Sequence, residues 1–223
     1  MPDFATMRAH MVEGQILPNK VTDPRIVEAM AIVPRECFVT GPLQAVPYVD
    51  EDLAIGNGRY LTEPAVLARM IQMLDPGHDN TALDIGCASG YSSAILGRLA
   101  GTVIALESDV ELSTIGANVL PTLDIDNVLF IEGDLTQGYA DQAPYDVILI
   151  GGGVEKVPEV ILEQLAEGGR LATVISQPLT GGHGHLGQVT LYTRIGGVVS
   201  SRALFDAALP MLPGFRASHE FVL

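Results

Sequence analysis

Residues 81–107 constrain this chain more than any other stretch. Thr81-Ala-Leu-Asp84-Ile is an apolar run that carries a carboxylate into the turn Gly86-Cys-Ala88-Ser-Gly90-Tyr91. A second apolar run, Val103-Ile-Ala-Leu-Glu107, also ends on a carboxylate, about 20 residues further on. Strand, glycine-rich turn, helix and second strand in that order build the nucleoside pocket of a doubly wound α/β fold. Gly86 lets the backbone turn sharply at the strand end, and Gly90 lets helix and ligand approach closely. Glu107 stands where a ribose diol could donate to it.

The remaining chain repeats the pattern. Apolar runs at 127–132, 145–151 and 170–176 read as further strands, with helices expected near 90–99, 109–120 and 158–166. Gly168-Gly169 is expected to end the last helix. Uninterrupted apolar runs such as Val147-Ile-Leu-Ile150 suit a parallel sheet covered on both faces. Residues 189–194 and 198–205, joined through Gly196-Gly197, read as a closing hairpin, which makes the sheet mixed. The expectation is a Rossmann-like, mostly parallel, seven-stranded sheet with helices on both faces. Ahead of it, Asp23-Pro24 and Glu63-Pro64 open helices, and Asp75-Pro76-Gly77 closes the second. Residues 38–61 show no clear period. One domain over 1–223 is expected, with a helical, substrate-lip extension at 1–78 and an α/β core at 79–223.

Composition excludes several roles. The formal net charge is -15, from 12 basic and 27 acidic residues. That speaks against nucleic acid, whose phosphates need basic patches. No apolar run is long enough to span a membrane, and the opening Met1-Pro-Asp-Phe-Ala-Thr-Met-Arg lacks a signal-peptide core, so a cytoplasmic setting is expected. Cys37 and Cys87 make no disulfide framework. The histidines lack metal-ligand spacing, and His183 and His185 read as part of a glycine-rich connection, so no metal is expected.

The glycine spacing separates two nucleoside cofactors. A dinucleotide site wants G-x-G-x-x-G. This chain has Asp84-x-Gly86-x-Ala88-x-Gly90, whose leading acid would repel pyrophosphate but suits a cationic sulfonium and amine. The segment resembles the first motif of class I S-adenosylmethionine methyltransferases, with Ala88 at the family's middle glycine. Val33-Pro-Arg35-Glu-Cys-Phe38, Pro47-Tyr48-Val-Asp50-Glu-Asp52-Leu-Ala-Ile55-Gly56, Ala143-Pro144-Tyr145-Asp146 and Val157-Pro158 through Gly168-Gly169-Arg170-Leu171 add a narrower resemblance. They are similar, in collinear order over roughly residues 11–215, to the protein-L-isoaspartate (D-aspartate) O-methyltransferases.

That resemblance implies S-adenosylmethionine as cofactor and the carboxylate of isoaspartyl residues in damaged proteins as methyl acceptor. It implies that Gly86, Ala88 and Gly90 line the methionine portion, that Asp84 lies near its ammonium and that Glu107 holds the ribose. Gly133 and Asp134 match a Gly-Asp pair whose acid bonds the adenine amino group; a plain turn acid is the alternative reading of Asp134. The acceptor segment departs from the bacterial pattern, approximately Ile-Gly-His-Gly-Gln-Thr-Ile-Ser. Here it reads Ile55-Gly56-Asn57-Gly58-Arg59-Tyr60-Leu61-Thr62. Thr62 keeps a hydroxyl for substrate or for capping the next helix. Arg59 is read as a loop arginine that either steers the acceptor carboxylate or is idle. Two rivals follow: a methyltransferase retargeted to another carboxylate or hydroxyl, and a non-catalytic cofactor-binding module. The oligomeric state is not legible.

Overall fold

The protein is described from a computed structural model covering residues 3–178 and 185–216. The chain opens with α1 (Phe4–Met11), which widens into a turn of π-helix over Val12–Ile16, and α2 (Pro24–Ile32). Asp23 caps α2 by accepting from the Arg25 amide, with Pro24 in the first turn. A small antiparallel hairpin follows, β1 (Leu53–Gly56) and β2 (Arg59–Leu61), then α3 (Pro64–Leu74).

The main sheet begins at β3 (Thr81–Ile85). It continues through α4 (Tyr91–Gly97), β4 (Thr102–Glu107), α5 (Val110–Val119), β5 (Val128–Glu132), β6 (Tyr145–Val154), α6 (Glu159–Leu162), β7 (Leu165–Pro178), β8 (His185–Ile195) and β9 (Val198–Asp206). Its spatial order is β5-β4-β3-β6-β7-β8-β9, with β3 to β7 parallel and β8 and β9 antiparallel. Connections leave β3 in opposite directions toward β4 and β6, so the switch point where such sheets bind ligands lies at the carboxyl end of β3.

Alternation along the central strands feeds two cores. Ala82, Val103, Val147, Leu149, Ala172 and Val174 pack with α3, α4 and the N-terminal helices. Leu83, Ile104, Leu106, Ile148, Ile150 and Leu171 pack on the other face with Ile161 of α6, Leu212 and Phe215. Both faces are dry, as continuous apolar strands require.

Three expectations are corrected. The helix expected over 158–166 is the short α6, because the chain re-enters the sheet at Leu165 and carries Gly168-Gly169 inside β7 rather than at a helix end. Residues 38–61 are not featureless. They hold the β1–β2 hairpin, whose two turn residues, Asn57 and Gly58, both have positive φ (51° and 70°). Asn-Gly is the pairing that such a turn favours. Finally, Glu63, not Thr62, occupies the N-cap position of α3, without a side-chain capping bond, and the side-chain oxygen of Asp52 accepts from the Glu63 amide at 2.8 Å. His183 lies outside the described residues.

The close seat of α5 on the glycine loop after β3 depends on Gly116. A methyl there would overlap the Phe130 ring and stand 2.9 Å from the Ser89 carbonyl oxygen. Helix propensity favours alanine over glycine by about 1 kcal/mol. Overpacking costs roughly 1–3 kcal/mol. Gly116→Ala is therefore expected to lower stability despite its better propensity, measured by denaturant unfolding; a gain in stability would show that α5 has room to shift.

Candidate active site

The turn after β3 is built so that its backbone reaches back to β4. The Gly86 amide donates to the Leu106 carbonyl at 2.8 Å, and the Ala88 amide donates to Glu107 Oε2 at 2.7 Å. Gly86, Ala88 and Gly90 all have positive φ (72°, 54° and 91°), which folds the loop tightly enough for its amides to bond the end of β4 and the loop itself, the Gly90 amide donating to the Cys87 carbonyl at 2.8 Å. Ala88 adopts this left-handed conformation with a side chain, a strain of about 1–2 kcal/mol. Ser89 Oγ donates to the Phe38 carbonyl at 2.6 Å and ties the loop to the N-terminal segment.

Two carboxylates stand at the carboxyl ends of adjacent parallel strands, and both are fully buried. Asp84 Oδ2 accepts from Ser92 Oγ and Ser93 Oγ, each at 2.6 Å, while its Oδ1 is buried with no partner. Burial pushes the Asp84 carboxyl up to about 6, against the opposing pull of the two serine bonds. Burial also raises the neighbouring Cys87 thiol well above its ordinary range, with Asp84 and Glu107 adding to the effect. Neither serine was singled out from the sequence, although both lie one helical turn beyond the glycine loop.

Glu107 is engaged on both oxygens. Oε1 accepts from Arg59 Nε at 3.1 Å, from the Ser108 amide at 2.8 Å and hydroxyl at 3.2 Å, and from the Asp109 amide at 3.1 Å. Oε2 accepts from Arg59 Nη2 at 2.7 Å and from the Ala88 amide. Arg59 is therefore not an exposed loop arginine. It is 3% exposed, inserted from β2 in a bidentate pair with Glu107, and it lies against Gly86. Beside it, Asn57 Nδ2 donates to Asp109 Oδ2 at 2.7 Å.

The structure thus brings Arg59, Thr62, Asp84, Gly86, Ala88, Gly90 and Glu107 around the end of β3. Tyr60, Thr62, Gly86, Ala88, Tyr91 and Gly151 line a cavity of about 10 Å³ there. Gly133 is joined to this group through its amide, which donates to the Glu107 carbonyl at 3.1 Å. Asp134 is exposed one strand further out, and its Oδ1 caps the following turn by accepting from the Thr136 amide and hydroxyl. Leu212 was not anticipated. It packs against the turn after β3 and against β6, where methyls on Gly86 or Gly152 would collide with it. Arg35 supports the segment around the β1–β2 hairpin: it is fully buried, donates to the Pro47, Leu61 and Thr62 carbonyls and stacks 4.8 Å from the Tyr91 ring centroid.

Residues 7–189 match the model of the protein-L-isoaspartate(D-aspartate) O-methyltransferases. The chain belongs to this family. A protein-L-isoaspartate O-methyltransferase of Koribacter versatilis is 37% identical over 78% of this chain and 79% of its own length. Another, from Methanospirillum hungatei, is 39% identical over 78% and 81%. Among solved structures, a protein-L-isoaspartate O-methyltransferase superposes with a TM-score of 0.77 at 25% identity, over 93% of this chain and 66% of the other, just under two thirds of its length. A Plasmodium falciparum structure, described as a putative member in complex with S-adenosyl-L-homocysteine, gives a TM-score of 0.70 at 21% identity over 94% and 97%. This fold is that of the S-adenosylmethionine-dependent methyltransferases.

The donor set fits S-adenosylmethionine at one end without change: the unpartnered, buried Asp84 Oδ1 is an acceptor awaiting a cationic donor. At the other end, both Glu107 oxygens are carboxylate acceptors of the kind a ribose diol needs, and both are bonded to Arg59 in this structure.

Because the folded pKa of Asp84 is raised above its ordinary 3.8 to about 6, its contribution to stability is fully present below pH 3.8 and is lost as pH rises through 6. Stability profiles of wild type and Asp84→Asn between pH 4 and 7 are therefore expected to diverge, with wild type losing roughly 3 kcal/mol relative to the variant. Parallel profiles would mean that the carboxyl titrates normally.

Proposed function

We propose that this chain transfers the methyl group of S-adenosylmethionine to the side-branch carboxylate of L-isoaspartyl residues in damaged proteins, in the cytoplasm. The observation that carries the reading is the orphaned Asp84 Oδ1 at the switch point of a chain that matches this family over residues 7–189. Residues 79–223 serve as the cofactor-binding core, and residues 1–78 supply the acceptor lip.

The cofactor supplies an electrophilic methyl on sulfur. A carboxylate acceptor is already ionised at neutral pH, its pKa being about 4, so no general base is needed. One oxygen–carbon bond forms as the sulfur–carbon bond breaks, the electron pair stays on sulfur, and no proton moves. The protein's work is alignment and exclusion of water, and orientation can supply on the order of 7–11 kcal/mol of such a barrier. Asp84 would hold the ammonium, and Glu107 the ribose hydroxyls. Gly133 and Asp134 would face the adenine edge, where the free oxygen capacity of Asp134 suits an amino donor. Gly86, Ala88 and Gly90 leave room for the methionine portion. Thr62 and Tyr60, on the lip side of the small cavity, stand where an acceptor would enter.

The test is methyl transfer to an isoaspartyl peptide beside its aspartyl twin, read as base-labile methanol. Methylation of the isoaspartyl peptide alone is expected. Transfer to neither, with S-adenosylhomocysteine still bound, would replace this acceptor with another. The pH profile is a second readout. With saturating cofactor the rate is expected to stay flat from pH 7 to about 5 and to fall near 4 as the acceptor protonates. The KM for S-adenosylmethionine is expected to rise below pH 6 as Asp84 takes up its proton. A rate that climbs steadily from pH 7 to 9 would indicate a hydroxyl or amine acceptor.

A further inference from the structure

Two of the three hairpin side chains that depart from the bacterial pattern, Asn57 and Arg59 but not Tyr60, reach the same place. Asn57 bonds Asp109 and Arg59 bonds Glu107, on either side of Ser108 at the end of β4. We propose that the β1–β2 hairpin is a latch on the cofactor cleft, in which Arg59 occupies the Glu107 oxygens that a ribose diol needs. Cofactor entry must then withdraw the guanidinium and release the hairpin. The inference rests on the reading of Glu107 as the ribose carboxylate.

Three observations carry it. Glu107 receives six donor contacts, two of them from Arg59, whereas a carboxylate offers about four lone-pair sites. Six donors already share these sites, so two ribose hydroxyls can take the places of the two Arg59 donors but cannot be added beside them. Space gives the same result: the guanidinium lies so close to the turn that a methyl on Gly86 would stand 2.9 Å from Arg59 Nη2, which leaves no room for a nucleoside between them. Charge supplies the reason for such a latch. Asp84 and Glu107 are both fully buried, and a lone buried carboxylate is costly. Arg59 provides the positive charge near them that the sulfonium and ammonium would provide in its place. Withdrawn, the guanidinium regains water, and Glu107 keeps its bonds from the Ala88, Ser108 and Asp109 amides.

A latch lowers apparent affinity by the fraction of molecules in which it is open. Calorimetric titration with S-adenosylhomocysteine tests this on the full chain. Arg59→Gln is expected to bind on the order of tenfold more tightly than wild type. Asn57→Ala keeps the ion pair but loses the second tie, and a gain of about two- to fivefold is expected. It also keeps the test open if Arg59→Gln fails to fold. Arg59→Lys, with one donor in place of a fork, is expected to fall between wild type and Arg59→Gln. Unchanged or weaker binding in the folded variants overturns the latch and makes the pair a support that orients Glu107. No binding by wild type or by any variant overturns the cofactor site itself, and the latch with it. Isoaspartyl specificity does not enter this measurement, so a failure there leaves the latch standing.

Discussion

Two carboxylates at the tips of neighbouring parallel strands, Asp84 and Glu107, set the terms for everything around them. Neither reaches solvent. In a medium of low dielectric each must be hydrogen-bonded, paired or protonated. The fold applies a different remedy to each. Asp84 receives two serine hydroxyls on one oxygen, none on the other, and a raised pKa of about 6. Glu107 receives backbone amides and the guanidinium of Arg59.

The scaffold serves this arrangement. The glycine loop turns so tightly that its amides reach β4, and α5 approaches through the flat surface of Gly116. Arg35 holds the backbone of the segment that delivers Arg59, through the Leu61 and Thr62 carbonyls, and is itself held by the ring of Tyr91. The β1–β2 hairpin, the glycine loop and β4 form one connected network. A buried pair of this kind is costly to break by removing one member, about 3–5 kcal/mol. It is cheaper to open when a ligand supplies replacement charge and hydrogen bonds.

Much of this was legible in the residues. Strand positions and a mostly parallel core follow from uninterrupted apolar runs, and the gathering of Asp84, Gly86, Ala88, Gly90 and Glu107 at the end of β3 follows from their spacing. The helix over 158–166 was overread because its apolar pattern continues into β7. The Asn57-Gly58 pair was a readable turn signal that marks the β1–β2 hairpin. The burial of Arg59 was not readable. Its partner lies 48 residues away, and local pattern carries no information about a pairing that depends on how the hairpin lies against the sheet. The role of Leu212 was hidden for the same reason.

The most direct measurement is the arginine Nε–H nuclear magnetic resonance spectrum, with the Arg59 signal assigned by its disappearance in Arg59→Lys. In the free protein the Arg59 Nε–H is buried and bonded to Glu107, so a slowly exchanging signal is expected. Saturation with S-adenosylhomocysteine is expected to remove that protection and move the signal toward that of an exposed guanidinium. A protected Arg59 signal that persists unchanged in the saturated complex would contradict the account, since Glu107 would then hold Arg59 and the nucleoside together or would not hold the nucleoside at all.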